Sequence, residues 1–570
     1  MKLIKKEDLK DIIKDGDSVA TCGFTSAMLC DHAFRGLEES FLECGHPRDL
    51  EIVSVPFIGT RTPGEGMDRL AHKGLLRGAR TTHINLCPNV QKAVMNNEIY
   101  CMMYPFGCIV QLYRDMGSGK PGIISKVGLG TFIDPRIEGG RCNEKTTENV
   151  CEVMEIAGEE YLFYPKFDLD VAIIRGTSAD EKGNITLEDE AVLQENMEIA
   201  QAVKSNGGTV IVQVKNIVPA SSLKPREVII PGIMVDYVLV APPEHHMQTM
   251  VTYMNPDWTH RARTENVRMP EAPMDERKII ARRAAMEIPS GAVINLGIGV
   301  PEMVGAVAAE EGFSEDITMT VECGHVGGIP AGGFDFGGCY NPDYVTNSVR
   351  QMDFYDGGGL DVCVLSAAEV DRFGNTNVTK FGRIVGPGGY INIATGAKEA
   401  VFCGSMTAGG LEIKAGDGKL KIVSEGKKKK FVSDVEQITY SGRNAAQRGQ
   451  KVTYITERAV FRLVAGDGDS SELGAESGAE GKSSSASAAG GAQVSGGAQV
   501  AGGAQVADGT QVADGTPTNG PALELIEIAP GIDLEKDVLD QIEFEVAVSP
   551  DLKLMDERIF TDGPMGLTIK

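Results

Sequence analysis

Short apolar runs closed by glycine turns recur along this chain, with segments of helical spacing between them. Ser18–Cys22 is such a run, ended by Gly23, and others occur at Leu50–Val55, Val171–Ile174 and Thr209–Val214. Each has the length of a buried strand. Lys6–Lys14 reads as a helix stopped by Asp15-Gly16. Leu193, Met197 and Ala200 fall on one helical face, and Gly207-Gly208 ends that segment. Strands alternating with helices predict βαβ units and a mostly parallel sheet.

The pattern then breaks. Ala241–Pro273 carries five prolines with weak periodicity, and regular structure resumes with a helix over Met274–Glu287 and a strand over Gly291–Leu296. The second part repeats the first. Asp170–Asn184 aligns without a gap on Asp361–Asn375, each an apolar strand followed by Asp (180, 371), Gly (183, 374) and Asn (184, 375) at matching places. The expected fold is α/β, with two similar open α/β domains, mostly parallel sheets and an active site in the cleft between them. The expected boundaries are 1–240 for the first domain, 241–273 for a linker and 274–570 for the second.

Within the second domain, 466–521 consists of Gly, Ala, Ser and short polar residues, including near-repeats of Gly-Gly-Ala-Gln-Val. Such a segment buries too little apolar surface to offset its ordering entropy, so a flexible insertion is expected rather than a β-helix. Its flanks, Val460–Val464 and Leu523–Ile528, read as strands of one sheet. The basic run Lys427–Lys430 lies between alternating segments and is read as a charged hairpin tip or edge rather than a polyanion patch.

A net charge of -25 argues against general nucleic-acid binding, which needs a basic surface, but leaves room for a small anionic ligand in a local basic pocket. No apolar run reaches membrane-span length, and the N-terminus lacks an apolar signal core, so a cytoplasmic protein without membrane partners is expected. The twelve cysteines are scattered, with no CxxC pair and no histidine at metal-ligand spacing. They are read as reduced and mostly buried, and no metal site is expected.

Two neighbouring stretches carry candidate chemistry. In Asn295–Glu302, the glycines at 297 and 299 permit a tight turn at a strand end, where main-chain N–H groups can face a ligand. In Val321–Gly333, Glu322 also sits at a strand end, the usual ligand side of an open α/β sheet, and a glycine-rich loop follows it. A desolvated carboxylate flanked by amide donors suits acyl transfer from a thioester. A surface carboxylate remains the competing reading. The Gly297-Ile298-Gly299 pattern lacks the third glycine of a dinucleotide fingerprint, which disfavours an NAD-dependent enzyme.

Taken together, Gly117–Gly122, Val127–Arg136, Asn295–Pro301, Glu322 with Gly327–Pro330, Phe354–Asp361, Gly374–Val378, Pro387–Asn392 and Ile528–Asp533 resemble the family I CoA-transferases. The similarity is greatest to the single-chain short-chain acyl-CoA:carboxylate enzymes related to the 3-oxoacid CoA-transferases. It runs along nearly the whole chain except the 466–521 insertion. The resemblance implies that Glu322 is the nucleophile of a ping-pong reaction passing through an acyl-glutamyl anhydride and a glutamyl-CoA thioester. It implies Gly297, Ile298 and Gly299 as an oxyanion and CoA-binding loop, Asn375 as a polar residue of the acyl site, and Gly388, Gly389 and Lys398 as CoA contacts. Coenzyme A is then substrate and covalent intermediate, with no tightly bound cofactor. The partners are acyl-CoA and carboxylic acids, and a homo-oligomer (dimer or tetramer) is expected. The competing functions are an acyl-CoA thioesterase on the same site and a non-catalytic ligand sensor.

The chain departs from the family pattern at Cys323, Gly324 and His325, and in the loops Phe24–Asp31 and Thr82–Pro88. His325 either contacts the acid or packs. The two loops are expected to border the acyl pocket, which raises the expectation of a larger or aromatic acid.

Overall fold

The computed structural model describes residues 1–265, 267, 269, 272–466 and 520–569, so most of the glycine-rich insertion lies outside the described residues. Two large sheets dominate. The first runs, edge to edge, Lys2–Ile4, Tyr237–Val240, Thr209–Val214, Val171–Arg175, Ser18–Thr21, Leu50–Ser54, Leu76–Thr81 and Tyr100–Met103. All neighbours in it are parallel. Its inner strands are buried along their whole length, as the unbroken apolar runs require when helices cover both faces.

The second sheet runs Tyr344–Val345, His325–Val326, Thr318–Val321, Val293–Leu296, Val362–Ser366, Glu399–Cys403, Lys451–Ile455, Ala459–Val464, Ala522–Ile528 and Ala547–Leu554. Its centre is parallel and antiparallel pairs follow on both flanks, while the last strand, Ala547–Leu554, lies parallel to Ala522–Ile528. The flanks of the insertion, Ala459–Val464 and Ala522–Ile528, pair directly with each other.

The repeat seen in the sequence is a repeat of topology. Tyr237–Val240, Thr209–Val214, Val171–Arg175, Ser18–Thr21 and Leu50–Ser54 neighbour one another in the first sheet. Lys451–Ile455, Glu399–Cys403, Val362–Ser366, Val293–Leu296 and Thr318–Val321 do so in the same order in the second. The Asp–Gly–Asn turn is duplicated down to its hydrogen bonds. Asn184 Nδ2 donates to Asp180 (2.9 Å) and Asn184 Oδ1 accepts from the Gly232 N–H (2.9 Å). Asn375 Nδ2 donates to Asp371 (2.8 Å) and its Oδ1 accepts from the Gly442 N–H (3.0 Å).

One expectation shifts. Leu193 precedes its helix, which spans Asn196–Ser205 and buries Asn196, Ile199, Ala200, Ala202 and Val203. Gln194 takes a left-handed backbone (φ 49°), so the helix cannot begin earlier. Within the segment expected as a linker, Trp258 is buried against Ala191, Ala331 and Tyr340, and Thr249 and Thr252 both donate to Asp335.

The halves meet along helices Phe106–Gly117 and Ser348–Asp356. Gln111 donates to Asp356 (2.7 Å), and the Gly107 N–H to Asn392 (2.9 Å). Ser348 donates to Glu195 Oε2 (2.7 Å), a fully buried carboxyl whose Oε1 has no partner among the described residues. Burial pushes the Glu195 carboxyl up to about 8, so it is held neutral in the fold. A raised folded-state value means this group's contribution to stability is complete below pH 4.5 and is lost as pH rises from there through about 8. Glu195→Gln should therefore have a higher apparent Tm than the native chain at pH 8, and a flatter Tm profile between pH 5 and 8. Parallel profiles in thermal melts would show that Glu195 titrates as an ordinary carboxyl.

Candidate active site

At the carboxyl ends of the two sheets lies a cavity of about 580 Å³, lined by both halves of the chain. The first half contributes Phe24, Thr25, Pro56, Arg61, Thr82, His83 and Phe106. The second contributes Asn295–Ile298, Glu322, Phe334, Phe336, Leu365, Ser366 and the segment Val385–Tyr390.

Glu322 follows the strand Thr318–Val321 and opens a turn closed by the Gly324 N–H on the Val321 carbonyl (2.9 Å). Gly324 has φ +116°, and a Cβ there would fall 2.0 Å from the Thr346 carbonyl oxygen, so the turn after Glu322 requires glycine. The Glu322 side chain is half-buried and faces the cavity. Burial raises its carboxyl above the ordinary glutamate value, while the Asn295 side chain pulls the other way. Asn295 is itself held by the Thr320 carbonyl (3.2 Å) and Tyr355 Oη (3.3 Å).

Two segments with unspent main-chain donors line the same cavity as this carboxylate. In the turn after Val293–Leu296, the Gly297 N–H is committed to the Val364 carbonyl (2.9 Å). Among the described residues, the Ile298 and Val300 N–H groups of this turn have no hydrogen-bond acceptor. In the other segment, a Cβ placed on Gly389 would lie 3.5 Å from Glu322 Cγ, and the Gly389 N–H also lacks an internal acceptor among the described residues. A carboxylate that shares a cavity with unspent amides can attack a carbonyl carbon while the developing oxyanion meets fixed donors.

The segment Val385–Gly389 also ties the halves together. Val385 accepts from the Ile84 N–H (2.9 Å), Gly388 donates to the Thr82 carbonyl (3.0 Å) and accepts from the Phe106 N–H (3.2 Å). At Gly386 (φ +101°) a Cβ would sit 2.3 Å from the Thr82 carbonyl oxygen, so the contact needs glycine. On the far wall, Thr25 donates to the Phe336 carbonyl (2.6 Å) and the Ser26 hydroxyl to that of Phe334.

Of the residues singled out from sequence, Glu322, Gly297, Ile298, Gly388 and Gly389 line this cavity, and Gly299 completes the turn beside it. Asn375 does not line it; both ends of its amide are spent in the Asp371 turn. Nor does Lys398, an exposed side chain paired with Asp361 (2.7 Å). His325 packs: it is buried between Cys323 and His260, and burial holds it neutral, down to about 3. The loops Phe24–Asp31 and Thr82–Pro88 do border the cavity.

Sequence reasoning missed Asn295 as a site residue, although a polar side chain in a buried strand was its visible signal. It also missed the aromatic lining. Phe24 stacks on Phe106 (6.2 Å between centroids) and packs against Phe336 (5.6 Å), contacts between residues far apart in the chain. His83 is held neutral, down to about 4, by burial and by the nearby Arg61 and Arg383.

The coenzyme A transferase family model matches residues 5–241 and 277–464. The chain is 40% identical to a caffeate CoA-transferase of Acetobacterium woodii, an alignment covering 99% of this chain and 98% of that protein. It is 39% identical to acetate CoA-transferase YdiF of Escherichia coli K12, covering 94% and 90%. The crystal structure of the acyl-CoA transferase YdiF from E. coli O157:H7, a thioester complex with CoA, superposes with a TM-score of 0.84 at 36% identity, covering 100% of this chain and 98% of that one. With two matching α/β units and a cavity that can host thioester chemistry, the chain belongs to the coenzyme A transferase family.

Proposed function

We propose that this CoA-transferase works by a ping-pong reaction on Glu322. The carboxylate attacks the acyl-CoA carbonyl, the C–S bond breaks, and an acyl-glutamyl anhydride and CoA thiolate result. The thiolate then attacks the glutamyl carbonyl, which releases the first acid and leaves a glutamyl-CoA thioester. An acceptor carboxylate reverses both steps, so the thioester is conserved. The observation that supports this reading is a half-buried carboxylate that lines the same cavity as Ile298 and Gly389, whose N–H groups have no acceptor among the described residues. Each tetrahedral step needs such donors, and a fixed amide is worth about 10²–10³ in rate. Gly297 and Gly388 act by shaping the two turns.

The acyl side of the cavity supports a larger, flat acid. Phe24, Phe106, Phe334 and Phe336 line it, with Thr25, Arg61, Thr82 and His83 among them as polar side chains that a ring-bearing acid can meet. A relative that carries the name caffeate CoA-transferase is in keeping with an arylpropenoate class, and the acetate CoA-transferase relative defines the small-acid alternative.

Incubation with acetyl-, propionyl- or cinnamoyl-CoA should add CoA to the peptide containing Glu322. Mass spectrometry should find that adduct in the native chain and not in Glu322→Gln, with transfer lowered at least ~10³-fold. Absence of an adduct with all three donors would refute Glu322 as nucleophile. Release of CoA without any acceptor acid would identify a thioesterase instead.

Because burial lifts the Glu322 carboxyl, the acidic limb of the kcat/KM profile should lie above pH 4.5. Activity should fade earlier on acidification than an exposed glutamate would allow, and a limb at or below 4.5 would show a solvated carboxylate. Phe24→Leu should lower kcat/KM for cinnamoyl-CoA about tenfold and leave acetyl-CoA within about twofold. Equal losses with both donors would show that the aromatic wall does not select the acid.

A further inference from the structure

The reaction proposed at Glu322 takes in one free acid and releases another, and each travels as a carboxylate. The cavity that receives it is walled largely by aromatic and aliphatic side chains, and an anion stripped of water there needs donors or a counter-charge. Most polar side chains of the wall have no proton to give. Thr25 donates to the Phe336 carbonyl (2.6 Å), Thr82 to the Val55 carbonyl (2.7 Å) and Ser366 to the Ile298 carbonyl (3.3 Å). Asn295 donates to the Thr320 carbonyl and to Tyr355 Oη, and Tyr390 shares its hydroxyl with Thr376 (2.8 Å).

Arg61 stands apart. Among the described residues that line the cavity it is the one lysine or arginine, and its guanidinium has no salt bridge or hydrogen bond to any described residue. Glu65, the carboxylate of the same loop, accepts from the Thr60 hydroxyl instead (3.1 Å). His83 adds no second cation to the wall, because burial and the charges of Arg61 and Arg383 keep its ring neutral.

The fold places Arg61 at a conformational cost. Its backbone is left-handed (φ 67°), a region that residues with long side chains seldom occupy. Its N–H donates to the Leu86 carbonyl (2.9 Å), which fastens the loop after Leu50–Ser54 to the loop after Leu76–Thr81. Two residues earlier, a Cβ on Gly59 would lie 2.3 Å from the same carbonyl oxygen, so this close approach requires glycine. A strained backbone that carries an unpaired guanidinium at the wall of an otherwise uncharged pocket, Glu322 aside, marks a binding group.

We propose that Arg61 is the carboxylate receptor of the acid site, its guanidinium meeting the free monocarboxylic acid as it enters or leaves while the body of the acid lies against Phe24 and Phe106. A thioester carbonyl carries no charge, so Arg61 distinguishes the free acid from its CoA ester. This assignment rests on reading the cavity as the site of CoA transfer.

Binding without turnover tests it. Glu322→Gln supplies a chain that cannot react and in which no glutamate charge repels the acid. Cinnamate, and cinnamamide as its uncharged isostere, are titrated calorimetrically at pH 7 into Glu322→Gln alone and combined with Arg61→Met or Arg61→Lys. Arg61→Met should raise the Kd for cinnamate about tenfold and leave that for cinnamamide within about twofold, and Arg61→Lys should recover part of the loss. An unchanged cinnamate affinity, or an equal loss with cinnamamide, overturns the assignment. A Glu322→Gln chain that takes up neither cinnamate nor acetate overturns it as well. Unaltered cinnamamide binding shows that each variant is folded. The titration involves no covalent step, so its outcome is independent of the adduct on Glu322: a missing adduct with Arg61-dependent acid binding counts against the nucleophile alone, and an adduct with Arg61-independent binding counts against the receptor alone.

Discussion

The site depends on keeping one carboxylate partly out of water while leaving main-chain N–H groups beside it unspent. A solvated carboxylate is a weak nucleophile toward a thioester, and an amide already bonded within the fold cannot receive an oxyanion. The chain meets both demands with glycine. Gly324 lets Glu322 turn off the end of its strand, and Gly386 lets the Val385–Gly389 segment press against Thr82 and His83. That contact brings the first half over the second and closes the cavity around the carboxylate. Glycine at these points is a geometric requirement, because a Cβ would overlap backbone atoms at 2.0–2.3 Å.

Duplication explains how a single chain builds such a cleft. Two open parallel sheets each present a ligand-binding edge at their carboxyl ends. Setting these edges face to face yields a cavity with two unlike walls. The second half supplies Glu322 and its amides, and the first half supplies Phe24, Phe106 and His83. In the proposed reaction, the second half supplies the nucleophile, and both halves contribute to the aromatic wall that meets the acid, Phe24 and Phe106 from the first and Phe334 and Phe336 from the second. The departures from the family pattern at Phe24–Asp31 and Thr82–Pro88 fall on the selecting wall.

Much of the fold was legible because buried parallel strands write themselves as unbroken apolar runs. Leu50–Val55 and Thr209–Val214 were placed within a residue or not displaced at all. The start of the helix after Leu193 was not, because the left-handed Gln194 and the buried Glu195 ahead of it follow from tertiary packing and not from periodicity. Glu322 and its glycine turns were legible as a strand-end loop. Asn375 was assigned to the acyl site from family position, yet the sequence held the contrary signal: its counterpart Asn184 occurs in the half without a Glu322 equivalent. A residue duplicated with its Asp and Gly neighbours serves the turn common to both units. The aromatic lining is a product of chain segments meeting in space, and no local pattern encodes it.

Oxygen-18 tracing tests the central claim most directly. If an acceptor carboxylate attacks the glutamyl thioester and CoA thiolate then takes the acyl carbon, the bridging oxygen stays on the enzyme. Turnover with unlabelled acyl-CoA and a doubly 18O-labelled acid in ordinary water should leave 18O in the Glu322 carboxyl, read from the mass of its proteolytic peptide. A peptide that stays unlabelled through many turnovers would contradict a covalent anhydride at Glu322.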